Sequence, residues 1–146
     1  MTNFAPIEAE TATGRAAELL TQVKASLGLV PNMTKVMANS PTLLTAYLAL
    51  SGAVGGGVLP TGTRERLAIS TAQLNGCEYC LSAHTYIGAN IAKVDAGELE
   101  AARTGHSHDP HTAALLRLSN EIAENNGDVC RAGLQSARAH GVTDEE

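Results

Sequence analysis

Apolar residues recur every three or four positions along most of the chain, and no stretch alternates with a period of two. From Thr13, the residues Ala16, Leu19, Leu20, Val23 and Leu27 fall on one helical stripe, and Gly28 supplies a C-terminal stop. Pro31 bars continuation, and a short helix is expected from Met33 to Ala38. Ser40-Pro41 reads as an N-cap followed by proline at the first helical position, opening a helix to about Ala53. Gly55-Gly56-Gly57 ends it. The next helix runs from Pro60-Thr61 to Leu74, closed by Asn75-Gly76, and another from Cys77 to about Ala92. Asp95 caps a short helix to about Arg103, and Asp109-Pro110 opens one through Glu124. After the turn Asn125-Asn126-Gly127-Asp128, a last helix extends from about Val129 to Ala139, stopped by Gly141. The pattern predicts an all-α single domain of about seven to eight helices over residues 13–142, behind an extended segment 1–12. Thr143 with the following acids reads as the opening of a final helix, truncated or absent beyond residue 146.

Composition sharpens this picture. The 146 residues suffice for one core, and 44% apolar with 17% charged residues is a globular balance. Aromatics are 3%, with no Trp, so the core must rest on Ala, Leu, Val and Ile, which suits packed helices. Ten basic residues against fifteen acidic ones give a net charge of −5. That surface repels a phosphate backbone and lacks stacking platforms, so nucleic acid is excluded as a partner. The apolar run from Leu43 to Leu59 is interrupted by Thr45, Ser51 and glycines, which argues against a membrane span. The first residues, Met1 to Pro6, lack the basic and apolar regions of a secretory signal. The expected location is the cytoplasm, where three cysteines do not form a structural disulfide framework. The glycine triplet is not followed by Gly-Lys-Ser/Thr, and is read as an interhelical turn rather than a phosphate loop.

Two of the cysteines carry chemistry. At ~100° per residue on one helix, Cys80 lies about 60° behind Cys77 and His84 about 20° behind it. All three share a narrow face. The cysteines fall in the first turn, where unpaired N–H groups and the helix dipole favour a thiolate, and His84 reaches Cys80 at i+4. A partner cysteine converts a sulfenic acid into a disulfide. Glu65 lies on the preceding helix in register with Ala68, Ile69, Ala72 and Gly76, where an unpaired charge is expensive. If the two helices fold back at Asn75-Gly76, Glu65 comes level with residues 85–87, close to His84. A Glu65–His84–Cys80 relay follows, the carboxylate holding the imidazole and the imidazole moving the proton of the nucleophile. Other readings compete: two packed cysteines, a zinc site of Cys77, Cys80, His84 and Cys130, or Glu65 as an ion-pair partner of Arg64 or Arg66.

The run Arg64-Glu65-Arg66-Leu67, followed by Asn75-Gly76-Cys77-Glu78-Tyr79-Cys80-Leu81-Ser82-Ala83-His84, resembles the carboxymuconolactone decarboxylase family in its alkylhydroperoxidase D-like branch. The shared pattern is E-x11-C-x-x-C-x-x-x-H, and Gly28-Leu29-Val30-Pro31-Asn32 and Ser40-Pro41 also fall where relatives carry them. The resemblance implies an alkylhydroperoxidase D-like helical fold assembling into homo-trimers or homo-hexamers. It implies a thiol peroxidase acting on hydroperoxides with no metal, haem or other cofactor, regenerated by an external thiol reductant protein. It makes Cys80 the peroxide-attacking thiol, Cys77 the resolving one, and His84 with Glu65 the proton relay. Tyr79 stands where the alkylhydroperoxidase type carries a histidine. The rival functions are a disulfide carrier or redox sensor, and a non-enzymatic zinc-stabilised interaction module.

The remaining polar residues invite plainer readings. His106-Ser107-His108-Asp109-Pro110-His111 could hold a transition metal, but its place between two helices suits a solvated loop. Cys130 reads as a small packed residue, His140 as a helix C-terminal residue, and Tyr47 and Tyr86 as core or interface aromatics.

Overall fold

The computed structural model describes residues 4–146, so the extended conformation expected of residues 1–3 lies outside it. Eight helices follow one another: α1 (Gly14–Leu27), α2 (Asn32–Met37), α3 (Pro41–Gly55), α4 (Thr61–Leu74), α5 (Glu78–Asn90), α6 (Ala96–Arg103), α7 (Pro110–Glu124) and α8 (Arg131–Ala139). No strand occurs among the described residues. The chain resolves into two compact units, one ending at Gly57 and the other spanning Val58–Glu146. The division falls directly after the glycine triplet, inside the span 13–142.

In the first unit, Leu19 and Leu20 of α1 and Leu44 of α3 are fully or almost fully buried together with Ala38. Met37, Tyr47 and Leu48 pack around them. Gly28 ends α1 in the left-handed region (φ 77°), its N–H bonding to the Lys24 carbonyl. Ser40 caps α3 by accepting from the Leu43 N–H at 3.3 Å, with Pro41 at the first position. Residues 4–12 are not uniformly extended. The Ala12 N–H bonds to the Glu8 carbonyl in a turn, and the Ile7 N–H reaches the Lys35 carbonyl.

The second unit is organised on α4, which packs against α5, α6 and α7. Ile69 of α4 is fully buried against Leu99 and Ala102 of α6, with Leu81 of α5 and Val94 alongside. Ala114 and Leu115 of α7 meet Ala137 of α8 and Val142, joined by Leu67. Each buried Leu or Ile is worth roughly 1.5–3 kcal/mol of transfer free energy, which is how small aliphatic residues hold the unit without aromatic mass. A polar link inside this packing, Ser70 Oγ to Asn120 Oδ1 at 2.8 Å, ties α4 to α7.

The chain from Thr143 to Glu146 is not helical. It nevertheless makes the reciprocal bonds of a capping box: Thr143 N–H to Glu146 Oε2 at 2.9 Å, and Glu146 N–H to Thr143 Oγ1 at 3.4 Å.

Candidate active site

The corner between α4 and α5 explains where the cysteines sit. Asn75-Gly76 closes α4 in a Schellman arrangement: the Gly76 N–H bonds to the Gln73 carbonyl and the Cys77 N–H to the Ala72 carbonyl. Gly76 adopts φ 63°, a conformation glycine alone adopts without steric cost. Cys77, the residue that completes this motif, is at once the N-cap of α5. Its Sγ accepts from the Cys80 N–H at 3.3 Å, and its carbonyl accepts from the Leu81 N–H. One residue thus ends one helix and begins the next, fixing the sulfur at a positive helix terminus.

Cys77 and Cys80 are joined by a disulfide, with their Cα atoms 5.3 Å apart. Both are half-buried, so the sulfurs are within reach of a small reactant. One turn further along α5, His84 Nδ1 lies 2.8 Å from Glu65 Oε2 of α4. A carboxylate can only accept, so Nδ1 carries the donated proton and Nε2 is left as the second ring nitrogen, available to exchange one. Glu65 keeps only 13% of its side-chain exposure and His84 37%, so the pair is shielded on the carboxylate side and open on the imidazole side. Arg66, one of the ion-pair partners weighed for Glu65, instead meets Glu98 at 2.6 Å. The four residues singled out in the sequence therefore lie within one unit, Glu65 on α4, Cys77 at the start of α5, and Cys80 and His84 on α5. A cavity of about 160 Å³ adjoins Cys77, lined by Ala72, Gln73, Gly76, Glu78 and Leu81.

The histidine-rich loop takes a different form from a metal centre. His106 Nδ1 turns to the Thr104 carbonyl at 2.6 Å, His108 Nδ1 to Glu98 Oε1 at 2.6 Å, and His111 Nε2 to Glu146 Oε1 at 2.8 Å. The three imidazoles have three separate partners. Among the described residues, no group of three His, Cys, Asp or Glu side chains is placed to hold a metal ion. Glu146 and the His140 carbonyl face the two nitrogens of His111 and raise its pKa above the usual histidine value.

Glu98 is the anchor of this region. It accepts from Ser107 Oγ, the His108 N–H, His108 Nδ1 and Arg66 Nη1, which together lower its pKa to about 2 from 4.5. Because the folded-state pKa is depressed, its contribution is fully present above about pH 4.5 and is lost as the pH falls through about 2. Glu98→Gln is expected to lower stability by about 2–3 kcal/mol at neutral pH and to flatten the acid limb over that window. Urea denaturation across pH measures both.

One sequence reading is corrected. Cys130 is not packed but exposed, and it caps α8 by accepting from the Gly133 N–H at 3.2 Å. The Glu121 carboxylate takes up its backbone N–H at 2.9 Å, a partner nine residues away that no local pattern announces. Of the two tyrosines read as core or interface aromatics, Tyr47 packs against the core of the first unit and Tyr86 is 65% exposed, which leaves it the interface reading.

An all-helical fold with a C-x-x-C disulfide at the start of a helix, and a carboxylate–imidazole pair on the same two helices, is an arrangement capable of thiol–disulfide chemistry. Residues 41–107, which contain all four site residues, match the model of the carboxymuconolactone decarboxylase family. Its fold is similar to that of an alkylhydroperoxidase AhpD core, an uncharacterized peroxidase-related protein from Ralstonia eutropha JMP134. The TM-score is 0.81, with 24% identity, covering 97% of this chain and 77% of that one. A peroxidase-related protein from Silicibacter sp. TM1040 is similar with a TM-score of 0.75 and 23% identity, over 97% of this chain and 73% of that one. No curated protein matches the chain. No helix among the described residues is long and apolar enough to cross a membrane.

Proposed function

We propose that the chain is a thiol peroxidase that reduces hydroperoxides through a Cys77–Cys80 redox disulfide. The Cys80 thiolate attacks the peroxide, forming Cys80 sulfenic acid and releasing the alcohol, or water from hydrogen peroxide. The Cys77 thiol then attacks the sulfenic sulfur, expels water and closes the disulfide. His84 takes the thiol proton from Cys80 and returns it to the leaving alkoxide, while Glu65 holds the imidazole in the tautomer that can do so. An external thiol reductant reopens the disulfide, with no metal or organic cofactor in the cycle. A reducing compartment such as the cytoplasm would sustain it.

The observation that carries this reading is the coincidence, on the packed helices α4 and α5, of the disulfide and the 2.8 Å Glu65–His84 pair. A cysteine pair kept for packing has no need of a largely buried carboxylate directed at an imidazole one turn further along the same helix. The names of the structural neighbours, both peroxidase-related, support the same direction. Assembly into trimers or hexamers belongs to this reading. It is supported by Leu43, Leu50 and Val54, which α3 leaves more than half exposed on a helix without charge.

One equivalent of peroxide added to reduced protein is expected to lower the free-thiol count from three to one, Cys130 being the survivor. Thiol titration with peptide mapping reads this directly. Three thiols persisting, or stoichiometric bound zinc shielding them, would overturn the proposal.

A further inference from the structure

Gly88 lies in the interior of α5, four residues after His84 and therefore on the same face, and it is buried. Its backbone is helical, with none of the positive φ that would call for glycine. Glycine in a helix interior costs stability relative to alanine, so some other constraint selects it here. The surroundings supply that constraint. A Cβ built at position 88 would lie 2.7 Å from Leu99 Cδ2 of α6, a separation real Cβ atoms essentially never show, and 3.7 Å from the Cβ of Glu65 on α4. Leu99 cannot readily yield, being 6% exposed and packed with Ile69, Ala102, Leu81 and Val94.

We propose that Gly88 is a positioning residue for the relay: its missing side chain lets α5 settle against α6 and the base of Glu65, bringing His84 within hydrogen-bond distance of the carboxylate. The inference rests on the relay proposed above but concerns the geometry of the Glu65–His84 pair, which can be read without any turnover. A Cβ at position 88 presses on Leu99 and lifts α5 away from α6. The imidazole one turn earlier is carried with it, whereas Glu65 stays on α4. A displacement of a few tenths of an ångström is enough to lengthen a 2.8 Å bond and misalign it.

The test uses the full chain, reduced, and five variants: Gly88→Ala, Leu99→Ala, the double Gly88→Ala/Leu99→Ala, Glu65→Gln, and Glu65→Gln/Gly88→Ala. The first readout is the His84 Nδ1–H proton resonance, which a carboxylate partner holds downfield. Gly88→Ala is expected to shift or broaden this resonance toward its behaviour in Glu65→Gln. Adding Leu99→Ala, which removes the obstructing atom, is expected to bring it back. The second readout is peroxide turnover, expected to fall about tenfold in kcat with little change in KM for Gly88→Ala, and to recover in the double variant. In a Glu65→Gln background, Gly88→Ala should cost nothing more, because the bond it perturbs is already gone. A folded Gly88→Ala protein with a wild-type His84 resonance overturns the proposal. So does a double variant that stays displaced when Leu99→Ala alone does not. Should Gly88→Ala fail to fold, the double variant decides: a wild-type resonance upholds the proposal and a displaced one overturns it. Absence of turnover in every protein, with the resonances behaving as expected, would refute the peroxidase reading while leaving the positioning role intact.

Discussion

Cys80→Ser is expected to abolish peroxide turnover, while Cys77→Ser should leave a single oxidation event that cannot be completed. A serine hydroxyl at position 80 is no nucleophile toward a peroxide at neutral pH, since the thiolate is the reacting form. Cys77→Ser keeps the attacking sulfur and the His84 side of the site but removes the thiol that resolves the sulfenic acid. It should consume one equivalent of peroxide and then stop, with a sulfenic acid at Cys80 that a dimedone-type probe captures. The contrast between the two serine variants assigns the roles. Captured sulfenate at Cys77 in Cys80→Ser, in place of Cys80 in Cys77→Ser, would reverse the order of attack.

The second large effect belongs to the pair behind the cysteines. Glu65→Gln is expected to keep the fold, because the shape is conserved and a largely buried charge is removed. Turnover should nonetheless fall ~100-fold, the scale of a positioned acid–base group. His84→Gln should cost a similar factor, and the double variant little more, because the two side chains act as one unit. Steady-state peroxide consumption with a dithiol donor measures all three. Full rate in both single variants would make the pair structural and end the relay assignment.

The helices were legible because their ends are written locally. Ser40-Pro41 and Asp109-Pro110 place two N-termini, and Gly28 and Asn75-Gly76 place two C-termini, each by a backbone bond that its neighbours dictate. The extent of α3 was less clear: it continues to Gly55, two residues past the expected end. The site was legible for a related reason. Cys80 and His84 are ordered by helical register, Cys77 stands just before them as the N-cap, and Glu65 betrays itself as a carboxylate on an apolar stripe.

What escaped is decided by packing between distant segments. Glu98 draws in Arg66 from 32 residues away, and His111 meets Glu146 across 35, choices that no periodicity encodes. The same holds for Gly88, whose neighbour across the helix interface is known only once α6 is in place. Cys130 illustrates the opposite failure. Its small apolar character suggested burial, but capping is a polar task that a thiol at a helix start can also perform.

The double duty of Cys77 has a consequence for how the protein reports its own oxidation state. The sulfur that accepts the Cys80 amide proton is also half of the disulfide, so its basicity changes in each cycle. The Cys80 amide therefore sits against an atom whose bonding changes in each turn of the proposed cycle, and its solvent exchange is expected to differ between the reduced and oxidised protein, which hydrogen exchange measures without any added label.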